Sequence, residues 1–109
     1  MGVFSIFKSA INGQYYYRLY SGNNKIVLNG EGYPYKQSCK DGVQSVKVNC
    51  IYDFRYEKSD KVDNYRFNLK AANGEIIGRS EGYTTAYARN QGIELIKSLA
   101  PTATIQDLA

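Results

Sequence analysis

Along residues 15–20 the side chains alternate. Tyr15, Tyr17 and Leu19 fall on one side of an extended strand, and Tyr16, Arg18 and Tyr20 on the other. The alternation returns in Tyr65, Phe67 and Leu69 against Arg66, Asn68 and Lys70. Each such strand leads through a turn, Gly22-Asn23-Asn24 or Asn73-Gly74, into a third strand, about Lys25 to Glu31 and Glu75 to Glu81. Each is preceded by a first strand, about Val3 to Ser9 and Tyr52 to Ser59. A polar turn follows each of these, at Asn12-Gly13 and at Asp60 to Asp63. The period then changes to that of a helix. Cys39, Gly42, Val43, Val46 and Cys50 make one amphipathic stripe, and Gly92, Ile93, Ile96 and Leu99 make the other. Thr84 or Thr85 is the expected N-cap of the second helix, and Pro101 stops it. Thr104 to Leu108 can form a short closing strand.

The chain aligns with itself at a shift of fifty positions without a gap. Phe4 meets Phe54, Tyr15 meets Tyr65, Leu19 meets Leu69, Glu31-Gly32-Tyr33 meets Glu81-Gly82-Tyr83, and Gly42 meets Gly92. Such a period marks a duplicated structural unit, here two copies in 109 residues. That length holds one domain, so residues 1–109 are expected to form a single domain of two repeats, 3–51 and 52–109. A glycine inside a helix costs about 1 kcal/mol against alanine. Its recurrence at the same place in both copies points to close approach of the helix to the sheet or to the other helix.

The stretch Tyr65-Arg-Phe-Asn-Leu-Lys-Ala-Ala-Asn-Gly-Glu-Ile-Ile-Gly78, followed by Ser80-Glu-Gly-Tyr83 and by Gly92-Ile93 within a helix, closely resembles the YegP-like family, domain of unknown function 1508. The resemblance covers nearly the whole chain as two tandem copies. The first copy departs from the pattern at Tyr20 (Lys in the family), Asn24 (Gly) and Pro34 (the helix-start Thr). The resemblance implies an α+β fold of tandem β(3)-α-β units. They share one sheet with C-terminal strands exchanged, and the gapless repeat adds the expectation that this sheet is antiparallel, with two helices on one face and a pseudo-two-fold axis. It implies no activity.

Composition narrows the chemistry. The chain has no His, which removes the commonest general base, metal ligand and nucleophile partner. The two cysteines, eleven residues apart on one helix, would be roughly 16 Å apart, too far for a disulfide, and are expected to be reduced. No cofactor and no enzymatic activity are expected. Glu31 and Glu81, equivalent in the repeat, could form a symmetric carboxylate pair. The plainer reading is a strand end or a charge near a helix N-terminus. The pair Asp60 and Asp63 reads as a solvated turn.

The 14 basic and 10 acidic residues give a net charge of +4. The first half is the more basic: from Phe4 to Cys50, Lys8, Arg18, Lys25, Lys36, Lys40 and Lys47 meet only Glu31 and Asp41. If Tyr15, Tyr17 and Leu19 face the helices, the open sheet face carries Phe7, Tyr16, Arg18, Tyr20, Arg55, Arg66, Asn68, Lys70 and Arg79. Such a mixture of rings and cations can bind single-stranded nucleic acid or another polyanion. It also occurs on ordinary solvated sheets. A second candidate, suited to an acidic protein partner, is the helix stripe Lys36, Lys40, Gln44 and Lys47. The expected protein is a small cytoplasmic monomer, free of the membrane, whose partners are protein or polyanion. Strand exchange through its last strand is the route to a dimer.

Overall fold

A computed structural model describes residues 2–109. Its elements run β1 (Val3–Lys8), β2 (Tyr15–Tyr20), β3 (Ile26–Gly30), α1 (Lys36–Asn49), a 3-10 turn (Asp53–Arg55), β4 (Tyr56–Ser59), β5 (Arg66–Lys70), β6 (Ile76–Arg79), α2 (Ala86–Leu99), a second 3-10 turn (Ala100–Thr102) and β7 (Thr104–Asp107). The strands form one sheet in the order β4-β5-β6-β3-β2-β1-β7. All neighbours are antiparallel except β7, which lies parallel to β1. A parallel partner needs a crossover of a dozen residues or more, and β7 arrives from the far repeat by way of α2. The expected antiparallel sheet thus holds for six strands, with the seventh reversed.

Both helices pack on one face. Phe4, Ile6, Tyr17, Leu19, Leu28, Phe67 and Leu69 on the strands, with Cys39, Val43, Val46, Ile93 and Ile96 on the helices, form one buried core. This is the alternation and the helical stripe read from the sequence.

The two halves meet where β3 pairs with β6, and Asn29 faces Arg79 across that pairing. These residues are equivalent in the repeat, so the pseudo-two-fold axis passes between them. Each half is also locked internally in the same way. Tyr33 and Tyr15 exchange backbone hydrogen bonds of 2.7 and 2.8 Å, as do Tyr83 and Tyr65, at 2.8 Å each. The rings of Tyr33 and Tyr83 then lie directly against Gly42 and Gly92. The helical glycines are there because a β-carbon would overlap a tyrosine hydroxyl. At the β2–β3 and β5–β6 turns, Asn24 (φ 63°) and Gly74 (φ 85°) occupy equivalent left-handed positions. Asn is among the few residues other than Gly that adopt this conformation readily.

The gapless alignment fails in the first strand of each unit. Phe4 lies opposite Leu19, but the residue opposite Leu69 is Tyr56, not Phe54. Tyr56 therefore takes the place of Phe4. Its ring stands edge-on to Phe67 at 5.5 Å and 69°, matching Phe4 on Tyr17 at 5.7 Å and 69°. The shift arises in the hairpin. In the first copy Lys8 is opposite Tyr15, whereas in the second Ser59 is opposite Arg66. That places the partner of position 65 at 60 rather than at 58, so the second turn is two residues shorter. The strand expected over Tyr52 to Ser59 accordingly begins only at Tyr56, with Asp53–Arg55 as a 3-10 turn.

Gly92→Ala should lower the midpoint of urea unfolding. Overpacking against Tyr83 costs about 1–3 kcal/mol, against about 1 kcal/mol gained in helix propensity. Gly42→Ala should behave likewise against Tyr33. Unchanged or raised midpoints in both variants would refute the tyrosine lock.

Candidate binding face

The face away from the helices carries a polar row across the whole sheet. Strand register places Gln106, Ser5, Arg18, Asn29, Arg79, Asn68 and Glu57 side by side from β7 to β4. The row is not uniform, because the two halves satisfy their charges differently.

In the second half the cations have partners within the chain. Lys70 meets Glu57 at 2.9 Å, and Asn68 donates to the same carboxylate at 3.2 Å. Arg79 makes two hydrogen bonds to Glu31, at 3.1 and 3.2 Å, and Asn29 donates to Glu81 at 2.6 Å. Arg66 donates to Asn64 at 2.9 Å. Glu31 and Glu81 thus straddle the axis, each accepting from the other repeat, and serve as cross-repeat clasps. Arg55 lies in the turn before β4, with its guanidinium 4.6 Å from the Phe54 ring centroid.

In the first half Phe7 and Tyr16 stand with near-parallel rings, 5.9 Å between centroids. The Arg18 guanidinium lies over Phe7 at 4.6 Å, and among the described residues it makes no ion pair. Here the surface is concave, enclosing about 530 Å³. Val3, Ser5 and Phe7 form the floor of this cleft. Arg18 and Tyr20 form one wall, Gln106 and Leu108 the other, and the turn through Ser21, Gly22 and Asn24 closes one end. The sequence-predicted residues Phe7, Tyr16, Arg18 and Tyr20 are brought together. Arg66, Lys70 and Arg79 are elsewhere and separately engaged, and Arg55, also elsewhere, packs on Phe54 and makes no ion pair among the described residues.

The lysine stripe of α1 faces the chain's own last strand. Lys36 and Lys40 reach Asp107 at 3.3 and 3.9 Å, and Lys47 donates to the Ala103 carbonyl at 2.8 Å. These three lysines contact the chain's own closing segment from Ala103 to Asp107, which gives their common face a partner within the chain.

Two features of the site went unread in the sequence. Gln106 and Leu108 enter the cleft because β7 crosses to the first repeat; the exchange of closing strands was implied by the resemblance, but not that it would bring these two side chains beside Arg18. Arg89 is 4% exposed, bonded to Asp60 and to the Ser59 carbonyl, and lies over the Tyr65 ring. Its repeat equivalent is the buried Cys39, so an arginine at a core-facing position was a signal available in the alignment. It makes Asp60 an anchor for α2 rather than a free turn residue.

Protonated groups dominate the interior. Burial is the main cause of raised phenol values at Tyr17, Tyr33, Tyr56 and Tyr83, with Tyr33 pushed up to about 12. Tyr17 donates to the Ile77 carbonyl across the repeat boundary, and Tyr56 to that of Cys50 at 2.6 Å. Both cysteines are free and buried. Burial, reinforced by the charge of Asp107, raises Cys39 to about 11, and burial raises Cys50. Among the described residues no cluster of three or more His, Cys, Asp or Glu could hold a metal ion. No helix there is long and apolar enough to cross a membrane.

The model of the family described as a domain of unknown function, DUF1508, matches residues 10–57 and again residues 60–107. The chain belongs to this family. Each matched stretch is a strand–strand–helix–strand unit, ending in β4 or β7, and β1 lies outside both. The UPF0339 protein YegP of Escherichia coli is 39% identical over 107 residues, covering 97% of this chain and 96% of that protein. A UPF0339 protein of Acinetobacter baylyi is 44% identical over 100 residues, covering 91% and 90%. The NMR structure of a UPF0339 protein from Shewanella oneidensis superposes with a TM-score of 0.91 at 39% identity, covering 98% of this chain and 91% of that one. Family membership supplies the tandem architecture and no activity.

The buried phenols make the fold sensitive to alkali. An unfolded tyrosine ionises near pH 10, so the stability from these groups is complete below that pH. It is lost as pH rises through their folded-state values. The phenolate absorbance that comes from these four buried tyrosines should appear cooperatively, together with the loss of far-UV circular dichroism, above pH 10. Ionisation of all the tyrosines with the dichroism intact would contradict it.

Proposed function

We propose that this chain is a non-catalytic binding module that engages a partner protein through the cleft on the open face of its first repeat. One observation carries the reading. The repeats share a fold, yet the second neutralises its open-face Lys70 and Arg79 with its own and its sister's carboxylates, while Arg18 in the first is left without one. Around Arg18 stand the apolar and aromatic surfaces of Val3, Phe7, Tyr20 and Leu108. A protein segment that presents an apolar side chain beside a carboxylate matches that lining, because buried apolar area supplies affinity and one charge pair supplies orientation.

The absence of catalysis rests on what the titratable groups are doing. The thiols and inner phenols are held protonated, and Glu31 and Glu81 are committed to clasps. Two buried free thiols also accord with a reducing, cytoplasmic setting.

The stacked pair Phe7 and Tyr16 beside Arg18 favours a second reading, single-stranded nucleic acid. Against it, phosphate tracking needs a line of unpaired cations, and Lys70 and Arg79 are already neutralised.

A labelled mixed-sequence single-stranded oligonucleotide, titrated at two salt concentrations, separates the two. The protein-partner reading expects no binding tighter than about 100 μM at low salt. It also expects a short peptide containing Leu-Glu to shift the NMR signals of Phe7, Arg18, Tyr20 and Leu108, and to stop doing so in Arg18→Ala. Salt-dependent oligonucleotide binding, weakened by Arg18→Ala and Tyr16→Ala, would replace it with the nucleic-acid reading.

A further inference from the structure

The pseudo-two-fold axis relates β1 to β4, yet only β1 has a strand on its outer side. β7 runs parallel to β1, with Thr104 opposite Val3, Ile105 opposite Phe4 and Asp107 opposite Ile6. The corresponding flank of β4 is a sheet edge. The reason lies in chain connection. The segment that follows α2 becomes β7, while the segment in the same place after α1 becomes β4 itself. One chain of two repeats therefore builds seven of the eight strands that the symmetry defines.

The vacant flank has a definite chemistry. Because β4 is offset by two residues, Tyr56 stands in the place of Phe4 and Lys58 in that of Ile6, while Phe54 precedes β4 by two residues in a 3-10 turn, as Gly2 precedes Phe4 by two. In the first repeat Gly2 is covered by Leu99 and Ala103. Phe54 is 73% exposed. Asp107 is held in the first repeat by Lys36 and Lys40. Across from the vacant position that matches Asp107, β4 presents Lys58, exposed and without an ion pair among the described residues. Self-pairing of β4 about a two-fold normal to the sheet would set Glu57 against Glu57, or Lys58 against Lys58, of the second copy. Like charges directly opposite one another are unfavourable.

We propose that β4 is an acceptor edge for an extended segment of a partner protein. The segment runs parallel to β4 and has the spacing of Ala103, Ile105 and Asp107: a small residue, an apolar residue two further on, and a carboxylate two beyond that. Main-chain hydrogen bonds to the edge supply most of the affinity, and alternate side chains supply the selection. This site is separate from the cleft on the open face and does not depend on it.

A synthetic peptide with the sequence of residues 102–109, Thr-Ala-Thr-Ile-Gln-Asp-Leu-Ala, serves as the probe. Added to the full-length, isotope-labelled chain, it should shift the amide signals of Tyr56 to Ser59 with a Kd of about 1 mM or tighter. Lys58→Glu, or replacement of the peptide's Asp by Lys, should weaken binding roughly two- to fivefold, the reach of one surface charge pair. No shift at β4 overturns the proposal. So do shifts confined to Val3 to Lys8, which would mean exchange with the chain's own β7, and so does binding indifferent to both charge reversals.

Discussion

The pairing of β3 with β6 carries more of this structure than its length suggests. Its in-register pairs are Asn29 with Arg79 and Gly30 with Gly78, and through them the two half-sheets become one. So short a ladder supplies few backbone hydrogen bonds, and side chains from each repeat reinforce it from both faces. On the open face Glu31 takes Arg79 and Glu81 takes Asn29. On the helix face Tyr17 of the first repeat donates to the Ile77 carbonyl of the second, and Gly78 lies against Leu28. A β-carbon on Gly78 would come within 2.8–2.9 Å of the Leu28 side chain and force it to shift, so the closeness of this junction depends on that glycine. The clasp on the open side is solvent-facing and worth about 0.2–1 kcal/mol. The buried contacts beneath it hold the halves in register.

Once the halves are joined in this way, their inequality has consequences. A hairpin two residues shorter moves β4 outward by one side-chain pair and places Lys58 where the first repeat has Ile6. β4 is short, charged and exposed beyond Tyr56, as an edge strand must be if it is not to aggregate. On the opposite edge the closing segment from Ala103 to Asp107 meets three lysines of α1, and the corresponding positions of α2 are Ala86, Asn90 and Lys97. Lys97 turns to Asp53 and Glu94 instead. The lysine stripe thus belongs to the closure of the first repeat. Its near-absence from the second follows from there being no strand to close.

Much of this was legible in the residues. Alternation in Tyr15 to Tyr20 and Tyr65 to Lys70 placed the inward rings correctly, because one face of a strand buried against helices leaves a period of two. Gly42 and Gly92 were legible as contact points, and the contacting group proved to be the tyrosine of each Glu-Gly-Tyr. What escaped had non-local causes. The register of β4 depends on hairpin length, and aligning Phe4 with Phe54 matched letters rather than pairings. The residues that β7 meets lie a hundred positions away, so the cleft wall of Gln106 and Leu108 and the contacts of Lys36, Lys40 and Lys47 with Asp107 and Ala103 were not legible. The exchange of closing strands was implied by the resemblance and is what the structure has; what escaped was the register in which each exchanged strand lies.

A duplicated chain has two copies of every surface and needs only one of each for stability. Here the second repeat keeps the self-satisfied version: carboxylates answer Lys70 and Arg79, and the buried Arg89 binds Asp60. The first repeat has Tyr20 where the second has Lys70, and Phe7 and Tyr16 where the structural equivalents are Ser59 and Arg66. These exchanges replace charge with rings on one patch of a solvated face, beside an arginine that gains no carboxylate. Core packing does not require them, since the same strands in the second repeat fold with polar residues there. Rings held in contact with water bring no burial to the isolated chain and gain it when a partner covers them. The departure of one copy from its sister is therefore what supports our proposal that a partner engages this surface.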